Sequence, residues 1–207
     1  MLNFVKKITD GIMAGLLISV GGCVFLNSSD QVVGAIFFSV ALLCICMRGY
    51  SLFTGKICYI PANHSKEAFS VLLLGLLGNL IATVIAGYAV RYAIPSIGAA
   101  AETVCAAKLE QEFLQTLIRG IFCGMMVYLS VAIYREKNTP VGILFCIPTF
   151  ILSGFEHSIA DIFYFAASGI VSLKACGFLW TVILGNVLGG MLLPVLEDLG
   201  KKKDAAK

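Results

Sequence analysis

Gly154-Phe155-Glu156-His157-Ser158-Ile159-Ala160-Asp161 sets a glutamate beside a histidine in the middle of an apolar stretch running from Val141 to Ile170. Ionisable groups at that depth in a bilayer are costly, and are kept mainly where they line a substrate or proton path. The stretch is also too long for one crossing helix, and Pro148, Ser153 and Gly154 interrupt it. A broken helix carrying Glu156 and His157 inside a membrane is the reading from which the rest follows.

The whole chain supports a bilayer as its solvent: of 207 residues, 59% are hydrophobic and only 13% charged, and the mean hydropathy is +0.94. At roughly 20 residues per crossing, spanning runs lie at about Gly11 to Leu26, Val32 to Met47, Phe69 to Tyr92, Phe113 to Tyr134, Val141 to Ile170 and Ala175 to Leu196. Gly11 to Leu26 counts as a crossing because Gly22-Cys23-Val24 is a poor cleavage site for a secretory signal. Six passes put both termini on one side. Lys6, Lys7, Lys66, Arg135, Lys137, Lys201, Lys202, Lys203 and Lys207 fall on that side, against Arg91, Lys108 and Lys174 on the other, so the termini are expected in the cytoplasm of a cell-membrane protein. The basic tail is a topology signal, and no nucleic-acid partner is expected. The eight cysteines offer no four-ligand spacing with histidine, so no metal or other cofactor is expected and the thiols read as reduced, buried, small hydrophobes.

Two internal matches divide the chain. Leu77-Gly78-Asn79-Leu80 in the third pass parallels Leu184-Gly185-Asn186-Val187 in the sixth, and Leu52-Phe53-Thr54-Gly55 parallels the break at Gly154 to His157. The second pass is interrupted as the fifth is, by Arg48-Gly49-Tyr50-Ser51. One membrane domain over 1–207 is therefore expected, built of two three-pass repeats at about 1–95 and 105–200, the second inverted because three is odd. Interrupted spans at matching places in inverted halves point to a transport site at the midplane, where half-helices starting near Thr54 and His157 direct positive dipole ends inward and favour an anion.

At these residues the chain resembles the formate/nitrite transporter family, whose formate, nitrite and hydrosulfide channels are homopentamers with an aquaporin-like fold and one pore per subunit. The Gly154 to Ala160 heptapeptide carries the resemblance, with Leu52-Phe53-Thr54-Gly55, Lys108 at the head of the fourth pass, Gly185-Asn186 and Gly189-Gly190. The resemblance implies an all-α channel of six transmembrane segments, broken in the second and fifth, in a bacterial inner membrane. It also implies that His157, Thr54 and Asn186 face the permeating anion, that Leu52 and Phe53 form one apolar slit, and that Lys108 and Glu156 pair in the outer vestibule. Phe38, Leu42, Val127 and Phe150 fall at the spacing of further constriction residues. Four positions depart from the family pattern: Tyr50-Ser51 stands before the Leu-Phe-Thr motif, Asp161 replaces the commoner asparagine, and Gly124 lies where an asparagine often supports the lysine and glutamate. Few residues precede the first pass, so gating by a long amphipathic N-terminal helix is not expected.

A small monovalent anion loses most of its hydration between apolar slits, at a cost of several kcal/mol unless its charge is met or moved. An imidazole, which titrates near neutrality in water, can lend the anion a proton so that a neutral acid crosses, while Thr54 and Asn186 hold either form. Lys108 would concentrate anions at the outer mouth. The expected function is transport of formate, nitrite, hydrosulfide or short carboxylates, by channel or proton symport, and not catalysis. An aquaporin-like pore for neutral solutes is the alternative, but it calls for two Asn-Pro-Ala boxes and the chain has only the reversed Pro61-Ala62-Asn63. An intramembrane hydrolase would need Ser158 and His157 to meet, and adjacent residues on a helix diverge by about 100°.

Overall fold

The computed structural model describes residues 2–204, with side chains placed for 3–201; Lys207 and the side chains of Lys202 and Lys203 lie outside them. The described residues form helices and no strand: α1 (Leu2–Asn27), α2 (Gln31–Arg48), α3 (Phe53–Ile57), α4 (Lys66–Ala93), α5 (Pro95–Leu109), α6 (Phe113–Lys137), α7 (Val141–Leu152), α8 (Ser158–Ser168) and α9 (Leu173–Asp204). Five of them, α1, α2, α4, α6 and α9, are long and apolar enough to cross a membrane. With 12 and 11 residues, α7 and α8 each fall short of a hydrocarbon core of about 30 Å at 1.5 Å per residue.

Local chemistry sets the helix ends. Asp30 caps α2 by accepting from the N–H groups of Val32 and Val33, at 2.7 and 3.1 Å. Gly49 then closes α2 at φ 71°, a left-handed conformation that glycine adopts without strain. Pro95 occupies the first turn of α5, where its missing N–H costs nothing. Glu112 and Gln115 form a reciprocal capping box at the start of α6.

Packing follows a repeated plan. α1 packs on α4 and α2; α6 packs on α9 and α7; α2 meets α7; α3 reaches α9 as α8 reaches α4. Small residues let the long helices approach closely: a Cβ added at Gly120 would stand 3.1 Å from both the Gly185 Cα and the Val182 carbonyl oxygen. The outward surface is apolar, with Ile85, Phe145 and Trp180 among many exposed large side chains, as a lipid or subunit boundary requires. The cysteines are all unpaired, and they are not uniformly buried as expected, since Cys176 is exposed.

One expectation changes here. Lys108 does not head the crossing helix that follows; it sits in the last turn of α5, a separate 15-residue helix, and α6 begins only at Phe113. The run Pro95 to Leu109 is rich in Ala and poor in large apolar residues, and its 15 residues make a helix too short to cross.

Candidate functional site

Between α2 and α3, and again between α7 and α8, the chain leaves the helix, and one asparagine holds each gap. Asn79 Oδ1 accepts from the Phe53 N–H at 2.9 Å, while its Nδ2 donates to the carbonyls of Ser51 at 3.0 Å and Gly11 at 2.7 Å. Asn186 does the same on the other side: Oδ1 accepts from Ser158 N–H at 2.8 Å, and Nδ2 donates to Glu156 O at 2.8 Å and Gly120 O at 2.9 Å. Both side chains are wholly buried. Non-helical backbone inside a membrane needs partners for its polar groups, and these two amides supply them. The Asn186 amide, expected to face the pore, is bonded to backbone, and the residue lines neither of the cavities described below.

The two gaps meet at one contact. His157 is the N-cap of α8; its Nδ1 accepts from the Ala160 N–H at 3.2 Å, and its Nε2 lies 2.9 Å from Thr54 Oγ1 on α3. Because Nδ1 accepts, the hydrogen-bond partners assign the neutral ring with its proton on Nε2, donated to Thr54. The Phe150 ring stacks on the imidazole, with centroids 5.9 Å apart and planes 19° apart.

Cavities approach this contact from opposite faces. One, of about 450 Å³, opens beside α5 and is lined by Phe38, Lys108, Phe150, Glu156, His157 and Asp161 among others. The other, of about 230 Å³, opens on the face that carries the chain termini and is lined by Leu42, Leu52, Gly55, Lys56, Tyr59 and Arg135 among others. The expected apolar residues thus divide, Phe38 and Phe150 to the larger cavity, Leu42 and Leu52 to the smaller. Phe53 and Val127 are buried and line neither cavity.

The larger cavity holds a charged network. Lys108 Nζ bonds Glu156 Oε2 and lies 3.0 Å from Asp161 Oδ1. Gln111 Nε2 donates to Glu156 Oε1 at 2.7 Å, and Thr116 donates to Gln111 at 3.2 Å. Gly124 contributes nothing to it and cannot: a Cβ there would stand 2.5 Å from the Asn186 carbonyl oxygen and 2.7 Å from the Gly190 nitrogen. Gln111 and Asp161 supply the support that the sequence pattern sought at Gly124. Gln111 escaped notice in the sequence because it lies in the short link between α5 and α6, where only the fold brings it to Glu156. Arg119 lines the same cavity and reaches the Gly154 carbonyl at 3.5 Å.

Comparison with known proteins follows the same residues. A family model described as "Formate/nitrite transporter" matches residues 1–197. "Formate-nitrite transporter 2" of Toxoplasma gondii is 27% identical over 93% of this chain and 50% of its own length. "Nitrite transporter NirC" of Escherichia coli is 28% identical over 84% of this chain and 72% of its own. The chain thus spans about half the length of the Toxoplasma relative. Among solved structures, an "FNT family ion channel" superposes with a TM-score of 0.74 at 25% identity, covering 92% of this chain and 86% of the other. A "Pentameric formate channel with formate bound" has the same fold, with a TM-score of 0.73 at 23% identity over 99% and 97% of the two chains.

Proposed function

Because the chain belongs to the formate/nitrite transporter family, we propose that it is a transmembrane pore for small monovalent anions such as formate or nitrite, with the Thr54–His157 contact as its centre. The observation that carries this reading is the position of that contact between two cavities open to opposite faces. α7 and α8 together make the sixth crossing beside the five long helices, the two halves are inverted repeats within one membrane domain, and both termini lie in the cytoplasm. The working assembly is a homopentamer, in keeping with the pentameric formate channel that shares the fold.

The chemistry at the centre follows from the ring as placed. Nε2–H donates to Thr54, which leaves the threonine hydroxyl proton free to meet an arriving anion. His157 sits at the positive end of α8, which favours negative charge beside it. To lend a proton the ring must first take one at Nδ1, and that breaks its bond to the Ala160 N–H, worth about 1 kcal/mol. Proton transfer to the anion is thus coupled to release of the helix cap, and the neutral acid then passes the apolar Leu42 and Leu52.

Reconstituted vesicles test the reading. Imposed formate or nitrite gradients should drive rapid uptake, while water and glycerol move at the rate of empty vesicles. Fast glycerol movement with no anion flux would establish the neutral-solute alternative.

A further inference from the structure

The two cavities differ in charge. The larger is lined by two basic side chains, Lys108 and Arg119, and two carboxylates, Glu156 and Asp161. The smaller is lined by two basic side chains, Lys56 and Arg135, and no carboxylate. In the larger cavity Lys108 is engaged by both acids. Neither Lys56 nor Arg135 forms an ion pair among the described residues. Asp10, whose charge reaches Lys56, is held by Lys6 at 2.5 Å, and Glu136, which follows Arg135 in sequence, lies outside the lining.

Position strengthens the contrast. Lys56 lies two residues beyond Thr54 on the same short helix, half-buried, where an ammonium without an ion-pair partner is costly, and the Asp10 charge that reaches it is shared with Lys6. Arg135 lies over the Tyr59 ring, 4.1 Å from its centroid, which holds the guanidinium at the cavity wall. A guanidinium edge meets a planar carboxylate or nitrite through two parallel hydrogen bonds, and an ammonium adds a point charge without fixed geometry. Leu42 and Leu52 line the same cavity, so an anion held there waits at the mouth of the apolar passage.

We infer that Lys56 and Arg135 form a capture site for small monovalent oxyanions arriving from the terminus-bearing face, so that the pore fills at lower anion concentration from that face than from the other. This rests on the anion-pore reading above. The site leaves the equilibrium distribution untouched, because a passive pore cannot alter it; it sets how fast and at what concentration each mouth loads. Lys56 positions the anion and does not exchange its proton.

Membrane vesicles of both orientations, loaded from outside with radiolabelled formate, separate the faces. The half-saturating formate concentration should be lower by about tenfold when the terminus-bearing face is outward. The difference should shrink as ionic strength rises from 0.01 to about 0.5 M, since the charges act over a Debye length. Lys56→Met and Arg135→Gln should each raise half-saturation from the terminus-bearing face several-fold while that from the opposite face stays put, and Lys56→Arg should restore it. Equal half-saturation from both faces of the unaltered protein, at any ionic strength, overturns the capture site and leaves the pore standing. Absence of formate and nitrite flux in both orientations overturns the pore itself. The salt series needs no variant, so a Lys56→Met chain that fails to fold does not protect the inference.

Discussion

Replacing Asn186 by alanine should destabilise the protein by at least about 2 kcal/mol, because the substitution orphans two buried backbone groups together. The Ser158 N–H loses its acceptor and the Glu156 carbonyl its donor, while the Gly120 carbonyl, inside α6, loses a second donor and keeps its helix bond. A buried group deprived of its partner costs about 1–3 kcal/mol, and no water reaches this side chain to replace the amide. The Asn79→Ala variant strips the same set of bonds from Phe53, Ser51 and Gly11, so its loss should match within about 1 kcal/mol. Asn186→Asp is no rescue, since it keeps the acceptor, drops both donations and buries a charge. The assay is titration with SDS in mixed micelles, followed by near-ultraviolet circular dichroism of the purified protein. A loss under 1 kcal/mol in either variant would refute the argument. So would a stable Asn186→Ala protein with altered anion selectivity, which would return Asn186 to the pore.

Three further outcomes follow from the site. Gly124→Asn should not strengthen the Lys108–Glu156 pair but should force α6 from α9, costing about 1–3 kcal/mol in the same titration, because its Cβ meets backbone at 2.5 Å. Asp161→Asn removes one of the two carboxylates on Lys108 while keeping an acceptor for it; half-saturating formate from the α5 side should fall several-fold, and an unchanged value would show that Asp161 carries no charge felt by the anion. Thr54→Val keeps the side-chain shape and deletes the 2.9 Å bond to His157, so initial formate flux in vesicles should drop by about threefold to tenfold; full flux would remove Thr54 from the centre.

Much of this site is legible in the chain because its causes are local. A glutamate and histidine inside an apolar run too long for one helix mark a costly break, and the Leu-Gly-Asn repeats mark matching places in the two halves. What stayed hidden depends on long-range geometry. Asn79 and Asn186 sit in matching sequence, yet only the packing of α4 on α1 and of α9 on α6 shows both amides bonded to the backbone of the neighbouring helix. Lys108 joins Glu156 across 48 residues from a 15-residue helix too short to register as a crossing. Gln111 and Asp161 complete its surroundings from two different elements. Lys56 and Arg135 carry ordinary residue types in ordinary places, and their meaning appears only when the cavity between them is seen to lack an acid.

The central claim is that a small anion passes the Thr54–His157 contact with a proton supplied there. His157→Asn tests it most directly, since asparagine also caps a helix start but does not titrate. In vesicles holding a pH-sensitive dye, with potassium and valinomycin to clamp the voltage, formate uptake and luminal acidification are recorded together. The unaltered protein should acidify the lumen by one proton equivalent per formate. The His157→Asn protein should take up labelled formate more slowly and without matching acidification. Acidification per formate equal to that of the unaltered protein would contradict the account and place the proton's source elsewhere in the pore.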